Sequence, residues 1–176
     1  MMWPLAQMCL VVIGAFFVQS AIVPHISVMG AKPDIILIVA SLYGFTYGPA
    51  SGSLTGFIGG LLGDLLAGPH VGIGLLSKTI VGFFAGLVRR AVFLENMMLP
   101  MLAIFVATWL NEFIYVGFLF LLGETVPIKI VSLQVILPSA IYNALLAPFV
   151  YVLVHRFMVI REEASSVRIA NKYDSV

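Results

Sequence analysis

Only 17 of the 176 side chains carry an acid or a strong base, and they are unevenly placed: none precedes Lys32, and none lies between Asp34 and Asp64. A chain so poor in charge cannot coat itself for water, since soluble domains carry about 25% charged residues. With 61% hydrophobic and 10% charged residues, the composition is that of a membrane protein. The apolar residues fall in long runs without a period of two, which argues against the alternating strands of a β-barrel. A formal net charge of +1 leaves no basic surface for nucleic acid. Cys9 is the one cysteine, so neither an intrachain disulfide nor a Cys-rich metal site is expected.

A bilayer core about 30 Å thick takes about 20 helical residues. Six candidate helices follow: Trp3–Val23, Asp34–Gly48, Pro49–Ala67, Gly72–Val88, Met98–Leu122 and Gln134–Phe157. The fold class is thus all-α, a polytopic bundle over residues 1–160, with a short polar tail at 161–176 that reads as a helix end fading into disorder. The second segment is the weak one, only about 21 Å long as a helix; it sits in a thinned bilayer, or the Gly48–Pro49 turn lies inside the membrane shielded by protein, or the number of spans falls to five. Pro138 and Pro148 are expected to kink the last helix. Arg89, Arg90, Arg156, Arg161, Arg168 and Lys172 fall on one side, against Lys32 and Lys129 on the other, which places both termini in the cytoplasm. Val18-Gln19-Ser20 loosely fits a cleavage site, but no Lys or Arg precedes the first apolar run, so an uncleaved first helix is expected.

Glycine is concentrated. Of 16 glycines, twelve lie between Gly44 and Gly86. Gly48, Gly52, Gly56 and Gly60 step by four, with Gly59 and Gly63, then Gly82 and Gly86, as further pairs. Helices in lipid associate through close backbone approach, which small residues at this spacing permit. The ladder either closes the chain's own bundle or receives a helix from another protein, and both uses remain open at this stage.

Few polar groups interrupt the apolar runs. Folding the fourth helix back about Val71 brings Asp64 and Lys78 to similar depth, roughly 10 Å inside the outer loop. They are expected to pair, since an isolated charge in a membrane is costly; independent snorkelling of Lys78, or a ligand or proton role, are the alternatives. Glu112, beside Asn111 near the centre of the fifth helix, is expected to be protonated or hydrogen-bonded within the bundle. Asn143 with Tyr142 on the sixth is its expected partner, forming a polar lock, with a transport site as the alternative. His25, His70 and His155 lack ligand spacing, and neither a metal nor a cofactor is expected. No nucleotide-binding or hydrolase motif occurs, and Ser77 and Lys78 are adjacent on different helical faces, so no enzyme is expected.

The run Lys32-Pro33-Asp34-Ile35-Ile36-Leu37, the ladder Gly48, Gly52, Gly56-Phe57, the sequence Gly60-Leu61-Leu62-Gly63-Asp64, then Gly82, Gly86, Arg89 and Arg90 resemble the MreD family of rod shape-determining membrane proteins. Pro138-Ser139-Ala140-Ile141-Tyr142-Asn143 resembles that family's last helix. The resemblance implies a six-helix bundle similar to the S components of energy-coupling-factor transporters. It further implies a non-enzymatic scaffold for lateral peptidoglycan synthesis. The implied partners are an MreC-like single-span protein and, in the wider complex, MreB, RodA and a class B penicillin-binding protein. His70, in the outer turn, has no counterpart in the family pattern. The alternative is a small-molecule-binding S component or related carrier, with Asp64, Lys78 and His70 lining an outer pocket. The A-x-x-x-A spacing typical of S components on the first helix is absent from Trp3–Val23, where Ala6, Ala15 and Ala21 stand.

Overall fold

The computed structural model describes residues 5–26, 31–67, 70–90, 98–127 and 131–173, with backbone alone at 67, 90 and 157–173. Among the described residues six α-helices follow one another: α1 (Leu5–Ala21), α2 (Ile35–Tyr47), α3 (Pro49–Ala67), α4 (Ile73–Leu87), α5 (Met98–Leu121) and α6 (Leu137–Tyr173). Short 3-10 turns close α1 (Val23–Ile26) and α4 (Val88–Arg90).

The segment that looked too short is the axis of the fold. Every residue of α2 from Ile35 to Phe45 is buried, and α1, α3, α4, α5 and α6 all pack on it. A helix apolar on all sides is surrounded by protein or by lipid; here protein encloses it, and its 13 residues extend only about 20 Å. Leu37, Ile38, Leu42 and Tyr43 are its largest fully buried side chains. At its C-terminal end Gly48 takes φ +97°, a conformation that favours glycine, and its N–H donates to the Gly44 carbonyl at 2.8 Å. Pro49 then opens α3, where its missing N–H leaves no gap in the helix.

At α6 the sequence reading needs correction. Ser132–Ile136 form a π-helical turn, with the Leu137 N–H reaching the Ser132 carbonyl, so Pro138 sits in the first turn of α6 and only Pro148 lies in the helix interior. The helix then continues to Tyr173, well past the expected end at Phe157, and the tail expected to fade is helical. Neither glycine nor proline follows Pro148 in the sequence, so nothing local stops the helix.

The exterior is apolar. Phe17, Leu65, Leu66, Leu102, Leu121 and Phe149 are all exposed by 61% or more. Two helical stretches, Met98–Leu121 and Ser132–Arg156, are long and apolar enough to cross a membrane.

Candidate functional site

The first turn of a buried helix has N–H groups without intrahelical acceptors, and at the start of α2 they must be satisfied inside protein. Asp34 does this locally: its Oδ1 accepts from the Leu37 N–H at 2.9 Å. Gln19 of α1 reaches across, its Oε1 accepting from the Ile35 N–H at 2.8 Å while its Nε2 donates to the Pro33 carbonyl at 3.1 Å. The Asp34 N–H donates to Asn143 Oδ1 of α6 at 2.8 Å. Asn143 Nδ2 donates to Thr108 Oγ1 of α5 at 3.0 Å, and the Thr108 hydroxyl donates to the Ile104 carbonyl at 2.9 Å. Lys78 of α4 completes the hub, its Nζ lying 2.9 Å from Asp34 Oδ2. Side chains of α1, α4, α5 and α6 thus converge on one end of α2. The Lys78 and Asp34 side chains are only 14% and 22% exposed, where an ion pair depends on both members being present.

The expected Asp64–Lys78 pair does not form. Lys78 is held by Asp34, and Asp64 acts on backbone: its Oδ2 accepts from the Gly72 N–H at 2.7 Å and the Leu75 N–H at 2.9 Å. An acid accepting from free N–H groups at a helix start is favoured by the helix dipole, so Asp64 caps α4 from across the hairpin. Gly74 leaves room for it, because a Cβ there would collide with Asp64 Oδ1.

The lock between α5 and α6 forms through a different residue. Asn143 meets Thr108, whereas Glu112 accepts from its neighbour Asn111 at 3.1 Å. Tyr142 donates its hydroxyl to the Ile26 carbonyl at 3.1 Å, tying α6 to the turn after α1. His70 lies 3.6 Å from Glu124 at the molecular surface.

The glycines form a second feature, a backbone-to-backbone seam. A Cβ at Gly52 would collide with the Gly82 carbonyl, one at Gly82 with the Gly52 carbonyl, and one at Gly56 with the Lys78 carbonyl. At Gly60 it would lie 2.6 Å from Leu75 Cα, and at Gly86 it would strike Pro49. Gly59 faces Ile36 and Val12, and Gly63 faces Ile36 at 3.8 Å. Gly48 serves the turn. The ladder's surfaces therefore meet this chain's own helices. Arg89 and Arg156 are exposed; the side chains of Arg90 and Arg161 lie outside the described residues.

Sequence reasoning passed over Gln19 and Thr108 and took Asp34 only as a helix start. Gln19 had a signal, being one of two amides, with Gln7, in an uncharged apolar run. Asp34 had another, an N-cap residue ahead of a helix too short to reach both membrane faces.

A family model described as rod shape-determining protein MreD matches residues 3–160. No curated protein and no solved structure matches the chain.

Proposed function

The chain belongs to the family of the rod shape-determining protein MreD, and from that premise we propose that it is a non-enzymatic, multi-pass scaffold of the bacterial cytoplasmic membrane. The observation that carries the proposal is the family match across residues 3–160. On this reading six helices cross or enter the bilayer, both termini are cytoplasmic, and the arginines just after α4 and in the C-terminal half of α6 mark that face. Helix α2, short of the membrane thickness, ends within the shelter of its neighbours.

The physical features support a rigid platform. The glycine seam and the hub use their contacts inside the chain, so the partner surface lies elsewhere. A groove of about 390 Å³ between α1 and α6 is the surface we assign to an MreC-like single-span helix. Both helices pack on α2 but scarcely touch each other. Gly14 lines this groove with nothing within 4 Å of the position of a Cβ, which lets a second helix backbone come close. Through that partner the chain would join MreB, RodA and a class B penicillin-binding protein in lateral wall synthesis. The carrier reading gains nothing from the site: Asp64, Lys78 and His70 each meet a group of the chain itself.

Gentle solubilisation of the tagged chain from its native membrane tests the proposal. The expected co-purifying protein has a single span and a periplasmic domain, accompanied by wall-synthesis enzymes. Gly14→Trp should lower its recovery at unchanged abundance of the chain. Recovery of ATPase subunits or a tightly held small molecule would overturn the scaffold in favour of a carrier.

A further inference from the structure

Three carboxyl groups lie within electrostatic reach of Lys78, and two of them are neutralised where they stand. Asp34 has the Lys78 ammonium at 2.9 Å and the Leu37 N–H. Asp64 has the N–H groups of Gly72 and Leu75 at the start of α4. Glu112 is the third. It stands one turn beyond Thr108 on the same face of α5, about 14 Å short of that helix's end at Leu121. Asp34 and Lys78 both act on it electrostatically, yet among the described residues it forms no ion pair. The cation that acts on it is already held by Asp34.

The neighbouring Asn111 is left short of a donor. Its side chain is only 2% exposed, its Nδ2 donates to Glu112 Oε1 at 3.1 Å, and its Oδ1 has no partner among the described residues. Oδ1 shares a planar amide with that Nδ2, so it stands beside the same carboxyl group. A buried carbonyl oxygen requires a donor. A carboxylate only accepts, whereas a carboxylic acid has one O–H to give. Protonated Glu112 therefore closes a ring of two hydrogen bonds: one carboxyl oxygen accepts from Asn111 Nδ2, and the other donates to Asn111 Oδ1. Turning the amide over changes nothing, because Oδ1 then meets the carboxyl directly and still needs its proton.

Each element packed on α5 contributes to the surroundings of this acid. Helix α4 brings Lys78, and the cap of α2 brings Asp34. Helix α6 brings neutral Asn143, its His155 and Arg156 standing about 18 Å or more further along. The π-helical turn Ser132–Ile136 has no titratable side chain. On α5 itself Tyr115 interacts with Glu112, with Lys78 and with Asp64 of α3.

We propose that Glu112 is a proton-binding site: beside the hub its carboxyl holds a proton and is hydrogen-bonded in both directions to Asn111. Loss of that proton to water sets a second carboxylate against Lys78, an ammonium that Asp34 then has to share. The tie between α4 and α2 thereby has two states, and pH selects between them. The site rests on the membrane reading given above.

The test is infrared spectroscopy of the full chain reconstituted in lipid and titrated with pH, in ordinary and in heavy water. At neutral pH we expect the C=O stretch of a protonated carboxyl, displaced in heavy water and lost in Glu112→Gln. That variant's amide can fill both positions on Asn111, so its elution profile should match the wild type. Asn111→Leu removes the hydrogen bond to the carboxyl oxygen and should raise the frequency of the band. Raising the pH should remove the band from the wild type. In Lys78→Met an ionised Glu112 has no counter-charge, so the midpoint should move up by about one pH unit or more. A wild-type spectrum without the band at neutral pH, or a band that persists in Glu112→Gln, overturns the site. So does a frequency untouched by Asn111→Leu, or a midpoint untouched by Lys78→Met. The first two variants leave the Asp34–Lys78 pair intact and decide the proton site without the third. Alkaline carbonate extraction is scored separately: release of the chain defeats the membrane reading and the site with it, while a retained chain without the band defeats the proton site alone.

Discussion

The α3–α4 hairpin and the α5–α6 pair both join neighbouring helices, and they do so by opposite means. Along α3 and α4 the side chains have been removed: Gly52 meets Gly82, Gly56 meets the Lys78 carbonyl, and Gly60 meets the backbone at Leu75. Between α5 and α6 the side chains remain, and the polar contact is Thr108 with Asn143. The first arrangement leaves no room for anything else and depends on the absence of atoms. The second depends on atoms being present, and it leaves α5 with an outer surface of Leu102, Val106, Phe113 and Phe120. Contact by subtraction makes a fixed wall, whereas contact by a few hydrogen bonds leaves surface free for lipid or protein.

The largest effect should come from filling the seam. Gly52→Leu or Gly82→Leu places a side chain into opposing backbone, which cannot step aside as a rotamer can. The cost should exceed the roughly 1–3 kcal/mol of ordinary overpacked cores, and the chain should fail to elute as a single species on size-exclusion in detergent. Gly117→Leu, on α5 with open space around it, makes the matched control. Leucine is the better helix former by somewhat under about 1 kcal/mol, so this variant should equal or slightly exceed the wild type in thermal midpoint. Equal behaviour of Gly52→Leu and Gly117→Leu would erase the distinction between the two helix pairs.

Next in size is the hub, where the two kinds of contact meet. Asp34→Ala removes an N-cap worth about 0.5–2 kcal/mol and strands Lys78, a loss of about 3–5 kcal/mol for a broken buried pair. Adding Lys78→Met should recover the part due to the stranded charge and leave the part due to the cap. Thermal unfolding of the purified variants measures both. A double variant no better than Asp34→Ala would mean that Lys78 finds another partner and that the ion pair does not tie α4 to α2.

That hub also marks how far the sequence could be read. Helix positions followed from hydropathy and proline placement, because both are local: Pro49–Ala67 matches α3 at each end, and the other starts fall within a few residues. Spacing likewise exposed the glycine ladder, since four-residue steps survive without tertiary information. Pairing of the charges was not legible. Reflecting one hairpin aligned Asp64 with Lys78 by depth, but depth says nothing about azimuth, and Asp34 approaches Lys78 from a helix 44 residues earlier. The burial of α2 was hidden for the same reason: its uniform hydrophobicity suits lipid and protein equally, and only its short length distinguished them.

The smallest effect tests whether the fixed hairpin and the looser α5 are coupled beyond the hub. His70, in the turn between α3 and α4, lies 3.6 Å from Glu124, just past the end of α5, with side chains 31% and 57% exposed. Solvent screens such a pair, and exposed ion pairs contribute at most about 1 kcal/mol. Attraction also requires a protonated imidazole. His70→Ala and Glu124→Gln should therefore each lower the thermal midpoint by no more than a few degrees, and together by no more than the larger single effect. If the two losses add in full, each residue acts alone and the outer ends of the hairpin and α5 move independently. If they do not add, the contact is a weak latch, and raising the salt concentration should remove the same increment from the wild type while leaving the double variant unchanged.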